Sequence, residues 1–165
     1  MEKEAASYEH AGFALRLGAF TIDSIIFIIG ISILAALLKL VGLSLVPDFA
    51  GLSIDEMMEV YKTGSPQMQA YNFTLTGLNI LYHSYFESQE KMASPGKQLL
   101  GIIVINQTGE GLSLMQAILR NAGKLASQMI LMVGYFMCIF TQHKQCLHDI
   151  LINTYVIRNS KSKPE

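Results

Sequence analysis

Two oppositely charged residues, Arg16 and Asp23, lie seven positions apart in a strongly apolar part of the chain. Within residues 17–38 Asp23 is the only formal charge, and as a helix this segment would be about 33 Å long, enough to cross a bilayer. The spacing places both side chains on one helical face. Charged groups in a membrane are costly and usually face other helices. The pair therefore indicates a structural ion pair, transport chemistry or partner recognition.

A second helix is predicted at residues 70–88, and five polar residues share one of its faces. Their spacings follow the helical repeat, and the five are Asn72, Thr76, Asn79, His83 and Glu87. Such a polar stripe favours either hydrogen bonding between helices or the lining of a hydrated ion or proton path. His83 and Glu87 alone could also contact a metal, but two ligands do not make a site. We therefore predict no metal.

A further carboxylate, Asp149, follows His148 in an apolar sequence near the end of the chain. If Asp149 is buried, Arg16 or Arg120 could neutralise it; the alternatives are a helix N-cap or a solvated turn. No nucleophile–base spacing, phosphate-binding loop or zinc pattern occurs, and the two cysteines lack a metal or redox spacing. We expect neither an enzyme nor a cofactor.

The composition indicates an integral membrane protein. Of the 165 residues, 51% are hydrophobic and 15% are charged, against roughly a quarter charged in soluble domains, and the mean hydropathy is +0.35. The net charge of −1 provides no basic field for nucleic acid. The first apolar segment is too long for a signal peptide, so we expect it to stay in the bilayer as an anchor.

The predicted fold is all-α, a small bundle of three main transmembrane helices at residues 13–41, 70–88 and 125–143. The third region either crosses once or forms a helical hairpin, in which residues 113–140, including the amphipathic basic segment 113–124, make two short helices. Polar connections separate the helices at 43–69 and 90–111. The transmembrane domain covers 13–158, between a polar N-terminal tail, 1–12, and a basic C-terminal tail, 159–165.

The charges of the connections predict an orientation. The first connection is acidic, with Asp48, Asp55, Glu56 and Glu59, whereas the second, together with the basic segment that follows it, carries Lys91, Lys97, Arg120 and Lys124. By the positive-inside rule the second connection and the N-terminus are cytoplasmic. The basic C-terminal tail also favours the cytoplasm, which three single crossings would not allow. A hairpin in which two short helices enter the bilayer and return would remove this conflict.

Two short β-branched runs, residues 101–105 and 154–157, predict a minor two-stranded ribbon. Because paired strands must lie on the same side of the membrane, the ribbon would place the C-terminal region with the second connection in the cytoplasm. A two-stranded ribbon is marginal alone, so it would rest on the helix ends.

Four short motifs, in this order, resemble the RDD family of membrane proteins, which is named for an arginine and two aspartates. They are AGFALR at 11–16 with Asp23, SPGKQLLG at 94–101, AILRN at 117–121, and LHD at 147–149 with TYVI at 154–157. The resemblance covers residues 11–157. Ser94 stands where the family usually has threonine, and Asn153 where it often has glycine.

The resemblance implies a set of cytoplasmic motif residues, namely Pro95, Gly96, Lys97, Arg120 and His148. It also implies transport, and cation/proton antiport has been proposed for some members. Our leading hypothesis is an inner-membrane, multi-pass protein that transports an ion or small solute. So few helices would need a homo-oligomer or a membrane-protein partner to enclose a path. The alternative is an accessory or scaffold that binds or assembles other membrane proteins.

In the transport hypothesis Asp23 is the proton or cation carrier. Arg16 poises Asp23, and His83 or Glu87 extends the relay. Counted from the cytoplasmic ends of the first and second helices, Asp23 and Asn79 lie at a similar depth in the membrane. We therefore expect Asn79 to touch Asp23 and His83 to lie nearer Arg16. The predicted charge cluster is Arg16, Asp23 and Asp149, and we further expect Asn79, His83, Asp23 and Arg16 to form one polar cluster that opens inward.

Overall fold

The computed structural model describes residues 8–43, 53–129 and 133–159, which are mostly helical with one small sheet. The elements are α1 Phe13–Leu40, α2 Ile54–Thr63, α3 Pro66–Glu87, α4 Pro95–Leu99, β1 Ile102–Asn106, α5 Leu114–Met129, α6 Val133–Phe140, α7 Leu147–Leu151 and β2 Thr154–Arg158. The described residues form two compact units, one up to Ile25 and from Ile80 onwards, the other Ile26–Asn79.

Helix α1 agrees closely with the prediction of 13–41. It has 28 residues with a mean hydropathy of 2.4, and among the described residues it is the one helix long and apolar enough to span a membrane. It ends where Gly42 adopts φ +76° and the Leu43 amide bonds to the Leu38 carbonyl at 2.9 Å. This is the hydrogen bond of a Schellman ending, which favours glycine at the left-handed position.

The predicted bundle of three crossings is therefore supported only for its first helix. Helix α3 has 22 residues, but its polar stripe leaves it less apolar than α1. Helix α5 has 16 residues and α6 has 8. The boundary predicted at 124/125 is wrong, because α5 continues to Met129 through residues 125–129, which contain no glycine or proline. Two helices, α5 and α6, occupy the third region, as in the hairpin alternative, and residues 130–132 between them lie outside the described residues.

The connection predicted at 43–69 contains a helix that the prediction missed. Helix α2 begins after a capping box, in which the Ser53 amide donates to Glu56 Oε2 at 2.8 Å and the Glu56 amide donates to Ser53 Oγ at 3.3 Å. The signal, a serine three residues before a glutamate, was present in the sequence. Helix α3 also begins earlier than predicted, at Pro66. Residues 44–52 lie outside the described residues.

The two-stranded ribbon is confirmed. Strands β1 and β2 pair antiparallel with Val104 opposite Val156, and both valines are buried. The N-terminal segment lies along β2, since the Ala11 amide donates to the Val156 carbonyl at 2.9 Å. Asn153, just before β2, has φ +52°, a left-handed conformation that asparagine tolerates better than most residues. This explains why asparagine can stand at a position where the family often has glycine.

The core of the first unit joins the ribbon to the start of α1. Its buried members are Ala11, Ala19, Ile102, Val104, Leu112, Ala117 and Val156. Helix α4 packs against α1 at Gly96, where an added Cβ would lie 2.3 Å from the Ala19 carbonyl oxygen. Only glycine permits this approach, so Gly96 sets the position of the SPGK turn beside Asp23.

Candidate functional site: a buried charge network

Asp149, on the short helix α7, is fully buried and accepts hydrogen bonds from two arginines. Arg120 donates to Oδ1 through Nε at 2.9 Å and Nη2 at 2.7 Å, and Arg16 Nη1 donates to Oδ2. The Cys146 amide adds a bond to Oδ2 at 3.2 Å. The sequence offered Arg16 or Arg120 as the neutralising group, and both of them neutralise Asp149.

Glu87, the last residue of α3, is the second fully buried carboxylate of the network. Its partners are Lys97 Nζ, Arg120 Nη1 at 2.8 Å and Asn121 Nδ2 at 3.1 Å. Arg120 thus bridges Glu87 and Asp149, and it is 2% exposed. Buried charges are tolerated when they are paired and hydrogen-bonded in this way. The network therefore ties α3, α4, α5 and α7 together.

Asp23 does not pair with Arg16, so the predicted ion pair within α1 is wrong. Asp23 Oδ2 accepts from Ser94 Oγ at 2.5 Å, and Oδ1 accepts from the Gly96 amide at 2.7 Å and the Tyr82 hydroxyl at 3.4 Å. Seven residues separate Arg16 and Asp23 by about 10 Å along a helix. Each side chain instead finds a nearer partner on another element, and Asp23 caps the start of α4.

The predicted polar stripe of α3 is divided between the two units. His83 and Glu87 are buried in the first unit, where Glu87 joins the network. Asn72, Thr76 and Asn79 belong to the second unit, and the Thr76 hydroxyl donates back to the Asn72 carbonyl at 2.8 Å. The proposed contact between Asn79 and Asp23 stays a prediction.

The five motif residues implied by the resemblance all lie in the first unit. Pro95 begins α4, Gly96 and Lys97 follow it, and Arg120 bridges the carboxylates. His148 Nδ1 lies 3.4 Å from Ser127 Oγ, and its Nε2 lies 3.6 Å from Asp149 Oδ1. Lys97, Arg120 and His148 therefore lie in or beside the buried charge network, and Gly96 contacts Asp23; their cytoplasmic location stays a prediction.

The network shifts the pKa values of its members outside α1 and α3. Burial alone would raise the pKa of Asp149, but Arg16 and Arg120 hold it well below its usual range. Burial lowers the pKa of His148 to about 3, against the opposing effect of Asp149. Desolvation likewise lowers the pKa of Lys124 to about 7. Asp149 is therefore ionised and His148 neutral near pH 7.

A cavity of about 190 Å³ lies beside the network. Asp23, Lys124 and the two buried histidines His83 and His148 contribute to its lining, together with Arg16, Lys97 and Arg120. Its remaining lining includes the apolar side chains of Phe13, Leu17, Phe20 and Phe136. The lining surface is therefore mostly apolar, and the ionisable residues contribute only a small polar part of it.

Three possible metal ligands, Cys146, His148 and Asp149, have ligand atoms within 4.8 Å of one another. Both Asp149 oxygens already accept bonds from guanidinium groups, and Arg16 also donates to Cys146 Sγ at 3.6 Å. A cation here would have to displace two fixed positive charges. The arrangement does not favour a metal.

Some members of the site were not identified from the sequence. Tyr82 bonds to Asp23, Asn121 joins Ser84 to Glu87, and Lys124 lines the cavity. The sequence signal for two of them was the polar face of the basic amphipathic helix. Lys124 lies four residues after Arg120 and three after Asn121, and residues three or four positions apart share a helical face.

Comparison with known proteins places this site in a family. A 29% identity over 150 residues relates the chain to "Uncharacterized protein YxaI" of Bacillus subtilis (strain 168), covering 89% of this chain and 96% of the relative. No solved structure matches the chain. The model of the RDD family matches residues 10–153, a range that includes Arg16, Asp23 and Asp149, and the chain therefore belongs to the RDD family.

Proposed function

We propose that this RDD-family chain moves an ion or small solute across the membrane, with Asp23 as its protonatable carboxylate. The observation that supports this proposal is a difference between three buried carboxylates. Glu87 and Asp149 are each held by two cationic side chains. Asp23 lines the cavity with three hydrogen bonds and, among the described residues, no ion pair. It can therefore take up a proton without breaking an ion pair.

The roles of the neighbouring residues differ from those expected. Arg16 is committed to Asp149, so it acts on Asp23 only through the charge of the network. His83 lines the same cavity and is the better candidate for a relay, since Glu87 is bonded to Lys97, Arg120 and Asn121. Protonation of Asp23 would weaken its bond with the Gly96 amide. Proton binding is thereby coupled to the position of the SPGK turn.

The lining favours an anion over a bare metal cation as the solute. Its described ionisable side chains are four basic residues, Arg16, Lys97, Arg120 and Lys124, and one acid, Asp23, apart from the histidines and Cys146. Counting Glu87 and Asp149 behind the wall, the cluster carries one excess positive charge when Lys124 is protonated, and burial lowers the pKa of Lys124 to about 7. Like charges repel strongly away from water, so a cation would enter this cavity against that excess.

The proposed location is the inner membrane, crossed by α1 and α3. The N-terminal segment pairs with β2, and β2 pairs with β1, so these three segments share one side of the bilayer. The basic residues Lys91 and Lys97 next to β1 favour the cytoplasm. The N-terminus and the end of β2 would then both be cytoplasmic.

A path through the bilayer would need more than one copy of the chain or a partner protein. In the apolar window of α1 only 6% of the residues are buried, and Ile25, Ile29 and Ile33 are all more than half exposed. Lipid or another apolar helix must cover this surface in a membrane. We propose a homo-oligomer in which neighbouring subunits complete the path.

The test is flux in proteoliposomes with an imposed pH gradient and a panel of cations and anions. Asp23→Asn should lose at least 90% of the flux, whereas Asp55→Asn, the same change on exposed helix α2, should keep it. Size-exclusion profiles and melting temperatures show whether both variants fold. If the native protein gives no flux above empty vesicles for any solute, transport is wrong and the accessory function becomes the better explanation.

A further inference from the structure

The cavity beside the charge network has a graded lining. Its inner residues are buried, with Asp23 at 1%, His83 at 4% and Arg120 at 2% exposure. Its outer residues include Leu17, Phe20 and Phe136, which are about half exposed. Leu17 and Phe20 belong to the candidate membrane helix, so this apolar rim faces the region that lipid would occupy. The opening is apolar, and the ionisable residues lie at the inner end, where they contribute only a small polar part of the lining surface.

Two polar groups at the inner end have no partner among the residues that the structure describes. His83 Nδ1 is buried and makes no hydrogen bond. The Lys124 ammonium makes no ion pair or hydrogen bond, although Lys97, Arg120 and Arg16 are each paired with a carboxylate. A buried polar group without a partner costs free energy. Of the two groups, His83 Nδ1 carries that cost, whereas Lys124 is partly exposed. An anionic oxygen beside the Lys124 ammonium would supply the charged partner that the described residues do not provide.

We propose that the cavity binds an anionic amphiphile, with its carboxylate or phosphate group beside Lys124 and His83 and its hydrocarbon chain over the apolar rim. This names the substrate class of the proposed transport and rests on that function. Lys124 would donate a charge-assisted hydrogen bond, and the neutral imidazole of His83 can donate its ring N–H. The anion also balances the excess positive charge of the cluster.

The size of the cavity fits a ligand whose anionic head group lies inside and whose hydrocarbon chain lies outside. Its volume of about 190 Å³ is ample for a carboxylate or phosphate group, because a cavity needs only about 10–15 Å³ to hold one water. Typical sites for whole drug-sized ligands are larger, about 300–1,000 Å³. The head group therefore sits inside while the chain lies outside, against the side chains of the rim. The anionic group comes from a free fatty acid or from an anionic phospholipid.

The experiment measures binding of radiolabelled palmitate to the purified full-length protein in a non-ionic detergent. Lys124→Gln should weaken binding at least tenfold, because a hydrogen bond to a charged group contributes about 1.5–3 kcal/mol. Lys124→Arg should stay within about threefold of the native protein, and Lys91→Gln, the same neutralising change at an exposed lysine, should have no effect. Equal binding by all four proteins would overturn the proposal.

Competition separates the two sources of the anion. Displacement by phosphatidylglycerol at lower concentration than by oleate would assign the site to a phospholipid, and the reverse to a free fatty acid; either supports the proposal. Inorganic phosphate or acetate competing as well as palmitate would overturn it, because the apolar rim would then contribute nothing. Neutral dodecanol competing equally well would also overturn it.

Flux in proteoliposomes distinguishes failure of this inference from failure of the proposed function. Lys124-dependent palmitate binding without flux of any solute would refute transport and support the amphiphile site. Flux of an inorganic ion that depends on Asp23, without palmitate or phosphatidylglycerol binding, would support transport and overturn the amphiphile site.

Discussion

The partner of Arg16 is the point at which the helical spacing and the structure disagree most directly, and a double-mutant cycle decides between them. In one cycle Arg16→Gln is combined with Asp149→Asn, its observed partner. In the other it is combined with Asp23→Asn, the partner that the spacing within α1 suggested. Each cycle combines the same two kinds of substitution, arginine to glutamine and aspartate to asparagine, and the two cycles differ only in the position of the aspartate.

The expected magnitudes follow from the contacts. Asp149→Asn leaves two guanidinium groups facing an uncharged amide, and breaking a buried ion pair costs about 3–5 kcal/mol. For a chain of 165 residues this corresponds to a fall in melting temperature of about 6–20 °C, at about 2–4 °C for each kcal/mol. Arg16→Gln should cost less, because Asp149 keeps Arg120. The coupling between Arg16 and Asp149 should be about 0.5–3 kcal/mol.

The hydrogen bonds of Arg16 and those of Asp23 involve no common residue. Their stability losses should therefore add to within about 0.5 kcal/mol.

The assay is thermal unfolding of the purified variants in one detergent, followed by helical circular dichroism, with Asp55→Asn as the control for removal of an exposed carboxylate. Coupling in the Arg16–Asp149 cycle and additivity in the Arg16–Asp23 cycle would support the network. The opposite pattern would refute it and restore the ion pair within α1.

Three further outcomes are expected. Gly96→Ala should destabilise the protein by about 1–3 kcal/mol, since its Cβ would lie 2.3 Å from a carbonyl oxygen of α1, whereas Gly77→Ala, in the interior of α3 where nothing lies within 4 Å, should be neutral or stabilising by up to about 1 kcal/mol; equal melting temperatures would contradict the close approach. His148 has a pKa lowered to about 3, so the unfolded chain binds its proton first as pH falls below about 6.5. Native stability should therefore fall between about pH 6.5 and 3, and His148→Gln should remove up to about 1.4 kcal/mol per pH unit of that slope; identical slopes would count against a buried neutral imidazole. A single cysteine at Ser162, with both native cysteines replaced by serine, should escape an impermeant maleimide in intact cells but react after permeabilisation. Labelling of intact cells would place the tail outside.

Features governed by local pattern were predictable from the sequence. The uninterrupted apolar run predicted α1, and the two β-branched runs predicted the ribbon, because periodicity and composition act over a few residues. The capping box before α2 was equally local and could have been recognised. The amphipathic segment predicted α5, although not its length. These elements depend on neighbours within one turn or one strand.

The partners of the charged residues could not be predicted in the same way. Helical spacing suggested that Arg16 pairs with Asp23 and that Glu87 belongs to a polar stripe. These suggestions concern residues of one helix, because a sequence pattern shows only which residues of the same helix share a face. In the structure Arg16 bonds to a residue 133 positions away, and Glu87 bonds to one 33 positions away. Such pairs depend on how separate elements pack.

The sequence alone thus determined which residues carry charge into an apolar chain, and the resemblance singled out the arginine and both aspartates without indicating their partners. Only the tertiary structure decided their arrangement: Arg120 joins Glu87 to Asp149, Asp23 holds the SPGK turn, and His83 Nδ1 and the Lys124 ammonium have no hydrogen-bond partner among the residues that the structure describes. The physical reason is that burial makes each unpaired charge costly. The final pairing therefore minimises that cost over the whole fold, which no local pattern can express.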